Sequence, residues 1–190
     1  MTVGVLSLQG AFALHHDMLR LNNVTSLSVR DPDELMKCDG LIIPGGESSV
    51  LSKLIMKNNL IDAIKAFSES KPVFGTCAGM IIMSKNTNDK KVCSLNLIDI
   101  DVNRNAWGRQ IDSFNTNLTI FDYSFDAIFI RAPKINSIGN SVKVLSEYKG
   151  NPVLVSSGIH LASSFHPELT NDPFVHNLFI DNILHSYESA

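Results

Sequence analysis

The sequence predicts an α/β fold: an open, mostly parallel central sheet flanked by helices, with extra antiparallel strands in the second half. Short apolar runs at Val3–Leu8, Leu41–Ile43 and Val73–Phe74 each stop at a glycine-bearing turn, as strands buried on both faces do. Between them lie segments whose apolar residues recur at helical spacing. After about Val92 that spacing fades, and strand-length runs follow one another between Gly, Asn and Pro turns.

In chain order, Val3–Leu8 is a first strand closed by Gln9-Gly10. Ala11, Leu14, Met18 and Leu21 then mark one face of an amphipathic helix. Val24–Val29 reads as a strand and Asp31-Pro32 as the start of a short helix. Leu41-Ile42-Ile43 is a buried strand stopped by Pro44-Gly45-Gly46. Val50, Leu51, Leu54 and Ile55 form a helical stripe that Leu60, Ile61, Ile64 and Phe67 continue past Asn58-Asn59. Val73-Phe74 is the next strand of the sheet. Ile98–Val102, Leu118–Phe121, Ala127–Ile130, Val142–Glu147 and Pro152–Ser156 read as strands. Asp172-Pro173 caps a last helix with Val175, Leu178, Phe179 and Ile183 on one face. With no repeat, low-complexity tract or linker, residues 1–190 are read as one domain.

Composition narrows the function. The chain is 44% hydrophobic and 18% charged, too apolar for a disordered segment. Sixteen Lys and Arg against nineteen Asp and Glu give a net charge of −3 with no basic cluster, which argues against nucleic acid as a partner. Cys38, Cys77 and Cys93 form no CxxC pair, so neither a disulfide framework nor a zinc site is expected. The start enters a strand without a charged leader, and the apolar stretch around Val73–Met83 falls short of the roughly 20 residues that span a bilayer. These features predict a soluble protein of a reducing compartment, the cytoplasm, with no metal and no membrane partner.

The chemistry begins at Gly75-Thr76-Cys77-Ala78-Gly79, a G-x-C-x-G run directly after a strand and before an apolar helix. A sharp strand-to-helix turn there lifts the cysteine above the sheet, and the helix N-terminus favours its thiolate. A second cluster is Ser164-Phe165-His166-Pro167-Glu168. Pro167 keeps His166 out of the helical region, and continued extension puts Glu168 on the same side, where it can hold the imidazole tautomer. A third is Pro44-Gly45-Gly46-Glu47-Ser48, a cup of backbone donors suited to an oxyanion or carboxylate. The remaining histidines, His15, His16, His160, His176 and His185, are assigned to packing or surface.

Together these blocks resemble the class I (triad-type) glutamine amidotransferases, and more narrowly the glutaminase subunits of pyridoxal 5′-phosphate synthases. The resemblance runs from Val3 to about Leu184. It rests also on Gly4–Gly10, on Arg104-Asn105 with Gly108-Arg109-Gln110-Ile111-Asp112-Ser113-Phe114, and on Ile130-Arg131-Ala132-Pro133. The chain departs from the pattern at Asn103, where an acid commonly precedes the arginine, and at Trp107, where a smaller aromatic is usual. The resemblance implies a flavodoxin-like sheet and a triad of Cys77 as nucleophile, His166 as base then acid, and Glu168 as its orienting partner. It implies that glutamine lies against Gly46, Glu47, Ser48, Arg104, Ile130 and Arg131. Ala78 and the Gly45-Gly46 loop would meet the oxyanion, and Gln9 and Gly10 would respond to a partner. The implied partner is a ring-forming synthase subunit, which takes the ammonia; pyridoxal phosphate is then a product and not a cofactor. Two other readings stay open: a glutaminase for another acceptor, such as imidazole glycerol phosphate synthase, and a non-catalytic flavodoxin-like binding module.

Overall fold

The computed structural model of the chain describes residues 1–104 and 113–188. Its first half runs β1 (Thr2–Leu6), α1 (Phe12–Leu21), β2 (Thr25–Val29), α2 (Pro32–Leu35), β3 (Gly40–Ile43), α3 (Ser48–Lys57), α4 (Leu60–Ser68), β4 (Val73–Thr76) and α5 (Ala78–Met83). The second half adds β5 (Ser84–Thr87), β6 (Ile98–Asn103), β7 (Ser113–Ile120), β8 (Tyr123–Ile130) and β9 (Lys134–Ile138). It continues with β10 (Val142–Tyr148), β11 (Asn151–Ser157), β12 (His160–Ser163), a 3₁₀ turn at Pro167–Leu169 and α6 (Phe174–Glu188).

The main sheet has seven strands in the order β10-β11-β12-β4-β3-β1-β2. Neighbours from β12 to β2 are parallel, while β10, β11 and β12 extend it as antiparallel strands. Side chains alternate between its faces. Leu41, Ile43 and Val73 join the core under α2, α3, α4 and α5, whereas Ile42 and Phe74 join the core under α1, α6 and the β7–β8 hairpin. A small sheet of β5, β6 and β9 flanks the first of these cores.

The alternation of elements agrees with the sequence reading, and the differences have local causes. The stripe expected to run through Asn58-Asn59 is broken, because Asn59 adopts a left-handed conformation (φ 57°) and α4 starts afresh at Leu60. The polar strand β5 and the four-residue β12 carry no clear period-2 signal. The β7–β8 hairpin is longer than expected, because its outer face is solvated and shows Asn115 and Asn117 where a buried strand would carry apolar residues. On α1 the buried face is His15, Met18 and Leu19, and Leu21 is exposed. On α3 Val50 is exposed and Ser48 and Ser52 are buried instead.

The topology also sets where a site forms. From β1 the chain moves outward to β2, and from β3 it moves the opposite way to β4. Loops at the carboxyl ends of these strands therefore part and leave a crevice, the usual ligand position in open α/β sheets.

Candidate active site

Cys77 sits between β4 and α5 with φ 49° and ψ −101°, a conformation that L-residues rarely hold. Two glycines make the turn possible. A Cβ on Gly75 would strike Met83 Sδ and the Gly79 carbonyl carbon, and one on Gly79 would strike the Ile43 carbonyl oxygen. The G-x-C-x-G spacing is thus a steric requirement. The turn is pinned by the Cys77 N–H, which donates to the Ser163 carbonyl at 2.8 Å and extends the β4–β12 ladder by one bond. Cys77 Sγ lies 3.9 Å from the Ile130 carbonyl oxygen.

His166 follows β12, and its backbone N–H donates to the Ile128 carbonyl at 2.9 Å. Its Nδ1 stands 2.8 Å from Glu168 Oε1. The sequence reading expected extension to bring these side chains to one side. Instead Pro167, with φ suited to a helical first turn, starts a 3₁₀ turn, and this turn swings the carboxylate under the ring. Burial alone would depress the His166 pKa. Hydrogen bonds to Cys77 and Glu168, and their charges, outweigh it and push the value up to about 10. The imidazolium is therefore favoured at neutral pH. Glu168 is 3% exposed. Desolvation opposes its ionisation, yet the neighbouring His15 and His166 hold its pKa below the ordinary carboxylate value.

Loops from β1 and β3 form the opposite wall. The Gly45 carbonyl accepts from the Ala11 N–H at 3.3 Å, and Gln9 Oε1 accepts from the Glu47 N–H at 3.2 Å. Gly10 lies under this contact with φ 92°, where a Cβ would run into the Gly45 carbonyl. The donor cup is less open than the sequence implied. Glu47 caps α3 with its own carboxylate, which accepts from the Ser49 and Val50 N–H groups and the Ser49 hydroxyl.

A cleft of about 470 Å³ is lined by Gln9, Gly45, Gly46, Glu47, Ser48, Cys77, Arg104, Ile130, Arg131 and His166, together with Ala11, Ile81 and Leu169. Glu168 stands behind His166, Ala78 opens α5 directly after Cys77, and Gly10 supports the wall from beneath. Arg104 spreads its fork between two carboxylates, Glu47 at 2.6 Å and Asp89 at 2.8 Å. Ser48 is 2% exposed, and its hydroxyl has no hydrogen-bond partner among the described residues. Asn105 and Gly108–Asp112 of the sequence block lie outside the described residues, as does Trp107. Among the described residues, no His, Cys, Asp and Glu cluster is arranged to hold a metal ion, and no helix is long and apolar enough to cross a membrane.

Two residues escaped the sequence reading. His15 and His176, taken as ordinary packing or surface histidines, are fully buried; His15 contacts the far side of Glu168, and His176 contacts His15. The one signal for them was spacing, since His15 stands three and four residues before the buried Met18 and Leu19.

Residues 5–185 match the SNO glutamine amidotransferase family. The pyridoxal 5′-phosphate synthase subunit PdxT of Oenococcus oeni is 46% identical over 180 residues, covering 94% of each chain. The protein of the same name from Francisella tularensis subsp. holarctica is 46% identical over 178 residues, covering 94% of this chain and 97% of that one. Among solved structures, one described as a glutamine amidotransferase superposes with a TM-score of 0.91 at 40% identity, over 95% of this chain and 98% of the other.

Proposed function

The chain belongs to the SNO glutamine amidotransferase family, and from that premise we propose that it is the glutaminase subunit of a pyridoxal 5′-phosphate synthase. It hydrolyses L-glutamine to L-glutamate and ammonia, and the ammonia goes to a ring-forming synthase subunit. Residues 1–190 act as one glutaminase domain in the cytoplasm, a setting that suits three free thiols. The observation that carries this reading is the Cys77 elbow facing a histidine anchored at 2.8 Å to a buried carboxylate.

In this reading the Cys77 thiolate attacks the glutamine side-chain amide carbon, and the carbonyl oxygen becomes an oxyanion. The backbone N–H of Ala78 and the Gly45-Gly46 loop receive that oxygen. Protonated His166 gives its proton to the departing nitrogen, so ammonia leaves and a γ-glutamyl thioester remains. His166, now neutral, takes a proton from water as the water attacks the thioester. Glutamate leaves and the thiolate–imidazolium pair returns. Glu168 stays ionised throughout and holds the ring.

The zwitterionic end of glutamine meets Glu47, Ser48, Arg104, Ile130 and Arg131. The Ser48 hydroxyl, which has no partner among the described residues, gains one when a polar ligand enters. Arg104→Ala should raise KM for glutamine about tenfold with a smaller change in kcat, because it removes a charged contact made in ground and transition states alike. Steady-state kinetics would check this, and an unchanged KM would take Arg104 out of the pocket.

The synthase subunit also switches the site on. One long bond from Ala11 and one from Gln9 hold the wall that presents Gly45-Gly46. A partner docking on Gln9-Gly10 can therefore reset that peptide at small cost and stabilise the competent state. Glutamate release would be measured for the isolated chain and again with saturating synthase subunit. A rise of about 10²–10³-fold is expected, the scale of one oxyanion donor. A rate unchanged in a demonstrated complex would remove the switch, and no hydrolysis in either condition would remove the glutaminase reading.

A further inference from the structure

Behind the triad, the face of Glu168 turned away from His166 meets a second pair of imidazoles. His15 from α1 places Nε2 3.6 Å from Glu168 Oε2 and 3.4 Å from the Thr76 hydroxyl. Its Nδ1 lies 2.9 Å from Nε2 of His176 on α6. Both rings are fully buried. Glu168 Oε2 and His176 Nδ1 have no conventional hydrogen-bond partner among the described residues.

This geometry selects the tautomers. Burial lowers the pKa of both rings, that of His176 to about 3, so both are neutral at pH 7. One proton lies between His15 Nδ1 and His176 Nε2. If His15 supplied it, its Nε2 lone pair would face the Glu168 carboxylate with only the Thr76 hydroxyl, at 3.4 Å, to meet it, and His176 would bury an N–H with nothing to accept it. If His176 supplies it, His15 carries its own proton on Nε2, aimed at Glu168. The only orphan is then a lone pair on His176 Nδ1, the cheaper group to leave unmet.

We propose that His15 is a positioning residue for the reaction: held in its Nε2–H tautomer by His176, it presents that N–H to the rear oxygen of Glu168 and keeps the carboxylate anionic and aimed at His166. The proposal rests on the glutaminase reading of Cys77, His166 and Glu168. The titratable groups facing Glu168 are His166 with Cys77 beyond it, His15 from α1, and His176 from α6 behind His15. His16, next on α1, turns away to the hydroxyls of Ser26 and Ser28.

The test uses the full chain with its synthase subunit. His15→Leu should lower kcat roughly tenfold to a hundredfold, the scale of one hydrogen bond to a charged group, with KM for glutamine little changed. Without that N–H, Glu168 takes a proton more readily, so the acid limb of kcat/KM should move up by roughly one pH unit. His15→Gln, whose amide N–H₂ reaches the place of Nε2, should restore both. A merely structural role would lower the melting temperature without moving the limb. His176→Leu removes only the group that fixes the tautomer and should shift the limb in the same direction. The proposal is overturned by a folded His15→Leu protein with unchanged kcat and limb, or by an unmoved limb in His176→Leu where His15→Leu does not fold. Nitrogen-15 spectra of the histidines supply a readout independent of turnover. A His15 proton on Nε2 supports the proposal and one on Nδ1 refutes it, whereas a wild-type complex inert toward glutamine refutes the glutaminase reading instead.

Discussion

Cys77→Ala is expected to remove essentially all glutamine hydrolysis, a loss of about a millionfold, as for other nucleophiles that act within a triad. No other thiol substitutes. Neither Cys38 nor Cys93 lines the cleft, and burial pushes Cys38 up to about 11, which leaves it protonated at neutral pH. Stability should change little, by about 1 kcal/mol or less. Alanine carries the same Cβ through the strained turn, and the lost sulfur gives up a hydrogen bond with His166, which keeps its bond to Glu168, and a long contact to the Ile130 carbonyl. Glutamate release in the presence of the synthase subunit, with a thermal melt on the same preparation, would check both halves. Hydrolysis at the wild-type rate would remove Cys77 from the role of nucleophile.

Gly10→Ala is expected to have the next largest effect. The new methyl group would occupy the position of the Gly45 carbonyl oxygen, on a backbone at φ 92° that already disfavours a side chain. The Gly45–Gly46 peptide has to move, and a displaced oxyanion donor costs about 10²–10³ in kcat. Backbone strain is separable from this effect. Gly150, on the remote β10–β11 turn, has φ 70°, and a Cβ added there would meet nothing within 4 Å. Gly150→Ala should therefore cost roughly 1 kcal/mol of stability and leave turnover intact. Equal kcat in the two variants, measured beside their melts, would mean that the Gly10 contact does not shape the site.

Much of the parallel half of the fold was legible because its strands, buried on both faces, read as apolar runs and its turns are marked by Gly and Pro. The polar hairpin β7–β8 and the short β5 and β12 were partly or wholly hidden, since a solvated face or four residues give little pattern. At the site, Cys77 announced itself through glycines that sterics require. His166 and Glu168 were paired correctly, but for the wrong geometric reason, because a 3₁₀ turn and not extension joins them. His15 was missed because it occupies a core position of an amphipathic helix, where composition gives no sign that the neighbour is a carboxylate. The occupation of Glu47 as a helix cap was likewise invisible, since it depends on the side chain folding back on its own helix.

The bond from Cys77 to Ser163 has a consequence for how the protein responds to heat. It places Cys77 one rung beyond paired Thr76 and Ser163, so the β4–β12 ladder that fixes Cys77 also leads into the segment carrying His166. Such interior ladders open only when the whole sheet does. Heat should therefore abolish the dyad at the same temperature as the fold, with no earlier fraying of the reactive atoms. The wall made by Gln9, Gly10 and Gly45 hangs on two long bonds at the strand ends and has no such protection. That wall can shift at lower temperature, while the sulfur and the imidazole keep the spacing the sheet imposes.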